Sequence, residues 1–222
     1  MTKGKVVAYR LLQRAVRAIS WALFQPLIVG AEKMPKNGGL MVICNHPSYL
    51  DPILLGAWLP RPLSFVAKRP LFKIPFVRTF LWLTESIPVE QDAPDRRALR
   101  LSIAKLKSGG VLAIFPEGTR SDHGRIRPGQ LGPALIAIES QVPILPCGLA
   151  GVYQAWSLES PLPRPAPIAL VVGEPLLPQL FPNTVNRQSL QALTDLMMAD
   201  IKRLVAIGEN LLNRSEKHFD LR

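Results

Sequence analysis

No stretch of this 222-residue sequence is apolar for long enough to cross a bilayer. The best candidate, Ala18 to Ala31, falls short of the roughly 20 residues a spanning helix needs and is bracketed by Arg17 and Glu32. A cleaved secretory leader is not expected either, because Arg10, Arg14 and Arg17 interrupt what would have to be its apolar core. Cysteine is scarce. Cys44 and Cys147 each sit in an apolar, strand-like run, where a thiol is ordinarily a small reduced hydrophobe, and this fits a cytoplasmic compartment. Paired Cys or His spacings suited to zinc are missing, as are a Gly-x4-Gly-Lys-Ser/Thr phosphate loop and a Gly-x-Gly-x-x-Gly turn, so neither metal nor nucleotide cofactor is expected. The absence of Gly-x-Ser-x-Gly excludes the nucleophile elbow of serine hydrolases. There is no repeat, linker or low-complexity tract, and the length suits one folded domain. Acidic residues are the minority: 16 Asp and Glu against 27 Lys and Arg give a net charge of +11. Such a chain attracts polyanions, which include nucleic acid, an anionic bilayer and acidic proteins, and charge alone does not choose among them.

What is present begins with a segment free of glycine and proline from Lys5 to Phe24. Wound at about 100° per residue, Lys3, Arg10, Arg14 and Arg17 fall on one stripe and Leu11, Leu12, Ala15, Val16, Ile19 and Leu23 on the other side. This basic amphipathic helix either packs on its own domain or lies among the headgroups of an anionic membrane.

Beyond it, short apolar runs alternate with helical patterns. Strands are expected at Gly39 to Cys44, Leu63 to Ala67, Ile87 to Val89, Val111 to Phe115, Ile144 to Leu149 and Ile168 to Val172. Helices are expected at Asp51 to Leu59, in part of Pro70 to Leu83, and over Asp92 to Lys107, Leu135 to Glu139 and Gln188 to Leu212. The pattern predicts an α/β fold with a mostly parallel sheet flanked by helices, its functional loops beyond the carboxyl ends of the strands.

Two such loops carry chemistry. Asn45-His46-Pro47-Ser48-Tyr49-Leu50-Asp51 places an imidazole and a carboxylate five residues apart across a strand-to-helix turn. The pair suits a general base oriented by an acid, and equally a structural histidine beside a helix cap. Phe115-Pro116-Glu117-Gly118-Thr119-Arg120-Ser121 gathers a carboxylate, a glycine, hydroxyls and a guanidinium. Those are the parts of an anion-binding loop, or of a solvated turn with a surface ion pair. Between the loops, Lys68, Arg69, Lys73 and Arg78 interleave with Phe65, Phe72, Phe76, Phe80 and Trp82, which suits single-stranded nucleic acid or a lipid interface.

These two blocks, followed by Val142-Pro143-Ile144-Leu145-Pro146, resemble in order and separation the blocks of the glycerolipid acyltransferase family, the 1-acylglycerol-3-phosphate acyltransferases among them. The resemblance covers roughly residues 28 to 175. Together with the basic periodic segment it divides the chain into an amphipathic helix over 1–27 and an acyltransferase domain over 28–222, expected to be peripheral on the cytoplasmic face of a membrane. It implies that His46 is the general base, that Asp51 orients it, and that Glu117, Gly118, Thr119 and Arg120 form the acceptor-phosphate site. The reaction implied is direct acyl transfer from acyl-CoA or acyl carrier protein to a lysophospholipid acceptor, 1-acylglycerol 3-phosphate, giving phosphatidic acid, with no cofactor and no nucleic acid involved. Another lysolipid or amino-acid-derived acceptor, or a silent membrane-binding module, are the alternatives. One block departs from the pattern: where similar proteins often have a glycine before Ile87-Pro88-Val89 and an arginine after it, this chain has Glu85 and Gln91. Arg127 matches the position of a family lysine and is the candidate replacement, ahead of Arg96 and Arg97.

Overall fold

The computed structural model describes residues 2–90, 95–157, 159–181 and 184–219. They form one seven-stranded sheet, in the order β1-β7-β6-β2-β5-β3-β4. The strands are β1 (Leu27–Val29), β2 (Leu40–Ile43), β3 (Ser64–Lys68), β4 (Ile87–Val89), β5 (Val111–Ile114), β6 (Ile144–Ala150) and β7 (Ala169–Val172). All neighbours run parallel except β6 and β7, which pair antiparallel. The helices are α1 (Lys3–Phe24), α2 (Asp51–Trp58), α3 (Pro75–Leu83), α4 (Arg96–Lys107), α5 (Leu131–Ser140), α6 (Val152–Ala155) and α7 (Arg187–Phe219).

The central strands β2, β5 and β6 are buried on both faces, as continuous apolar runs in a covered parallel sheet must be. Their side chains alternate between two cores. Leu40, Val42 and Cys44 join Leu55, Leu63 and Leu145 on one side, while Met41 and Ile43 join Leu112, Ala137, Met197 and Ile201 on the other.

Two features of the amino-terminal region lie beyond what the sequence pattern announced. The apolar run after Ala18 is not one element. The chain leaves α1 through Gln25, whose φ is 42°, and Pro26 then opens β1, which pairs with β7. The sides of α1 are also not disposed as a helix buried by its apolar stripe would be. Tyr9, Gln13, Ser20 and Phe24 are buried, whereas Val7, Leu11, Ile19 and Trp21 are exposed. Besides Phe24, which enters the apolar core, polar contacts hold α1 down: the Tyr9 hydroxyl and the Gln13 amide both donate to the carbonyl of Gly56, and Arg17 donates to that of Ala57. The helix thus docks on the end of α2 by one seam and turns its apolar stripe outward. No helix among the described residues is long and apolar enough to cross a membrane.

Candidate active site

Strands β2 and β5 are neighbours, with Ile43 opposite Ile114 at their carboxyl ends. The loops that follow them, far apart in sequence, therefore leave the sheet side by side. On the far side of β2, the Asn45 side chain is locked to β6: its amide donates to the Leu149 carbonyl at 2.8 Å and its oxygen accepts from the Leu149 N–H at 2.8 Å. Asn45 is a tether that the sequence had shown only as part of a motif.

The His46 and Asp51 side chains meet, with Nδ1 and Oδ2 2.7 Å apart. Asp51 opens α2 and is fully buried; Pro52 follows in the first turn, where its missing N–H is no loss. The Ser48 N–H donates to the same Oδ2 at 2.8 Å, and the Ser48 hydroxyl donates to the Trp156 carbonyl at 2.6 Å. Burial raises the Asp51 carboxyl above its ordinary range, against the opposing pull of His46, Ser48 and Arg120. The imidazole lies flat on Phe115, with ring centres 4.0 Å apart and planes at 13°. Its side chain is 18% exposed, and Nε2 has no hydrogen-bond partner among the described residues. An imidazole fixed at Nδ1, with Nε2 unpartnered, is arranged to accept a proton there.

Glu117 stands apart from the anion-binding role expected of it. Its carboxylate is buried and both oxygens are occupied: Oε1 accepts from the His46 N–H and Oε2 from the Arg127 N–H, each at 2.7 Å. It clasps the two loops together, and desolvation raises its pKa. The Ser121 N–H closes the same junction by donating to the His46 carbonyl at 2.8 Å. Gly118 is exposed with φ +73°, a backbone state that lets the turn double back between Phe115 and Gln130. Thr119 is half-buried beside it, and Arg127 enters through its backbone, on the loop that Glu117 holds. Cys44 lies next to His46 in the chain, two residues away, but desolvation holds its thiol well above the ordinary range, so it is no nucleophile at neutral pH.

Among the described residues, three buried side-chain polar atoms have no partner: Asp51 Oδ1, Arg120 Nη1 and Ser121 Oγ. All three belong to these two loops. Buried polar atoms are ordinarily satisfied, so such a cluster marks a place for a ligand. The unmatched position before β4 has a physical reason. Glu85 has φ 51°, in the left-handed region that favours glycine, and is held there by ion pairs with Lys105 at 2.8 Å and Lys5 at 3.6 Å. Gln91 lies outside the described residues, and Arg96 and Arg97 are exposed at the start of α4.

The family described as Acyltransferase matches residues 25–150. A Bacillus subtilis protein named 1-acyl-sn-glycerol-3-phosphate acyltransferase is 28% identical over 88% of this chain and 96% of its own length. One of the same name from Cocos nucifera is 30% identical over 72% of this chain and 53% of its own. Among solved structures, the 1-acyl-sn-glycerophosphate (LPA) acyltransferase PlsC of Thermotoga maritima superposes with a TM-score of 0.75 at 27% identity, covering 92% of this chain and 81% of that one.

Proposed function

This chain belongs to the acyltransferase family, and from that premise we propose that it transfers a fatty-acyl group from a thioester to the free hydroxyl of 1-acylglycerol 3-phosphate, giving phosphatidic acid. The names of its relatives support the reaction. The observation that carries the mechanism is the 2.7 Å contact between His46 and a wholly buried Asp51. The Asp51 carboxylate accepts a hydrogen bond from Nδ1–H, which fixes the tautomer and leaves the Nε2 lone pair for the substrate hydroxyl. As that oxygen bonds to the thioester carbonyl carbon, its proton passes to Nε2. Collapse of the tetrahedral adduct breaks the carbon–sulfur bond, and the imidazolium returns the proton to the departing thiolate. A thioester is already activated, so this scheme needs no covalent acyl-enzyme, metal or cofactor, and either coenzyme A or acyl carrier protein can bear the acyl group.

Arg120 is the phosphate ligand, with Gly118 and Thr119 shaping the turn beside it. Arg127 flanks the same loop. Glu117 acts through the two backbone amides it accepts, since a carboxylate beside a phosphate would repel it. The enzyme works as a peripheral protein on the cytoplasmic face of a membrane, which the outward apolar stripe of α1 and the exposed Phe76 and Trp82 support.

The test supplies purified protein with acyl-CoA or acyl carrier protein thioester and a panel of phosphorylated and unphosphorylated lysolipids. Phosphatidic acid is the expected product, and His46→Ala lowers kcat by about 10²–10⁴-fold while the fold is retained. Near-normal turnover by that variant ends the mechanism, and turnover confined to acceptors without a phosphate monoester moves the assignment to another lysolipid.

A further inference from the structure

We infer that Tyr49 is a positioning residue that sets the acceptor specificity of the site by holding Arg120 flat and ready for a phosphate monoester. The inference rests on Arg120 as the phosphate ligand and goes beyond it, to what fixes that ligand in place.

No hydrogen bond or ion pair orients the Arg120 guanidinium among the described residues. What it touches is an aromatic face, with Cζ 3.7 Å from the centre of the Tyr49 ring. Stacking takes water from one side of the cation and confines it to a plane, while its edge stays free to donate. Nη1 is buried and unpartnered in that pose, a donor left over for an oxyanion. A flexible guanidinium would have to lose that freedom on binding each substrate.

Tyr49 is itself held from both sides. The Ser48 N–H is tied to Asp51, the Ser48 hydroxyl to Trp156 and the Leu50 N–H to the Ser48 hydroxyl, so the backbone on either side of Tyr49 is pinned. Behind the phenol ring stands Trp156, with ring centres 5.4 Å apart and planes at 45°. The series Trp156, Tyr49, Arg120 thus rests on Ser48, which is bonded to the same aspartate that holds His46. The Tyr49 hydroxyl makes no hydrogen bond among the described residues, and the side chain is 44% exposed, so neither its oxygen nor core packing accounts for it.

Steady-state kinetics in detergent micelles test this with 1-acylglycerol 3-phosphate and acyl-CoA as the two substrates. Tyr49→Leu is expected to raise the acceptor KM about tenfold, with kcat, donor KM and Tm little changed, and Tyr49→Phe to restore it. Arg120→Lys keeps the charge and loses the planar stack. Adding Tyr49→Leu to Arg120→Lys should therefore cost little more, as coupled residues behave in a double-mutant cycle. Unaltered acceptor KM in Tyr49→Leu, equal rises in both KM values, failure of Tyr49→Phe to rescue, or additive effects would each overturn the inference. Absence of phosphatidic acid from the wild type would overturn the acceptor assignment and this inference together, whereas an active wild type with an indifferent Tyr49→Leu sinks the inference alone.

Discussion

Two buried carboxylates in one site invite the same substitution and should answer it differently. Asp51 uses one oxygen, Oδ2, for both His46 and Ser48 and leaves Oδ1 without a partner. An amide can turn its oxygen to the used position. Because the folded-state pKa of Asp51 is raised above its unfolded value, the native chain binds that proton more tightly, and ionising the group costs stability as pH rises through the window. Asp51→Asn should therefore hold or raise Tm at pH 7, with the gain fading below about pH 4, while kcat falls by up to about 10⁴-fold. Thermal melts across pH beside single-turnover assays check both halves. Glu117 uses both oxygens to accept backbone N–H groups. Glu117→Gln turns an NH2 against one of those donors, so a stability loss of about 1–3 kcal/mol and a fall in kcat are expected in denaturant titrations and assays. The motif letters made His46 and Asp51 legible as a pair. They could not show that Glu117 faces backbone, nor that Asn45 and Ser48 are fastenings, because those bonds reach residues remote in sequence, such as Leu149 and Trp156.

Among the elements, the central strands and the extent of α1 were readable from composition: unbroken apolar runs for the one, a segment without glycine or proline for the other. Which side of α1 would be covered was not, because the deciding partners are carbonyls of Gly56 and Leu59, left without helical donors where α2 ends. Strand β1 escaped notice because Leu27, Ile28 and Val29 continue an apolar run, although Pro26 and Gly30 bracket them. Replacing Leu11 and Ile19 with glutamate should weaken flotation with anionic vesicles while leaving Tm unchanged, since both side chains are exposed. Unaltered partitioning would assign membrane contact elsewhere. Removing the whole helix is the poorer experiment, because it also uncovers the residues that Tyr9 and Phe24 protect. On the other face, α7 lies so close to β6 that a Cβ on Gly148 would sit 2.5 Å from the backbone nitrogen of Val205. Gly148→Ala should lower Tm by about 2–12 °C, read by calorimetry.

At the scale of the molecule, the charge of +11 gives attraction without address. Vesicle binding should weaken as NaCl rises from about 0.1 to about 0.5 M, because the screening length shortens below 10 Å, and the remainder measures apolar contact. The alternating pattern announced a parallel sheet with loops at its carboxyl edge, yet not the strand order, nor the reversal of β7 against β6, since both depend on which strand pairs with which.

Because α1 is already fastened to the body of the protein by Tyr9, Gln13 and Arg17, its winding does not wait for lipid. A peptide that coils into a helix only on meeting a bilayer must lose backbone freedom at that moment; this segment has lost it during folding. Adding vesicles should leave the far-ultraviolet circular dichroism unchanged, and attachment and release should be correspondingly easy to reverse.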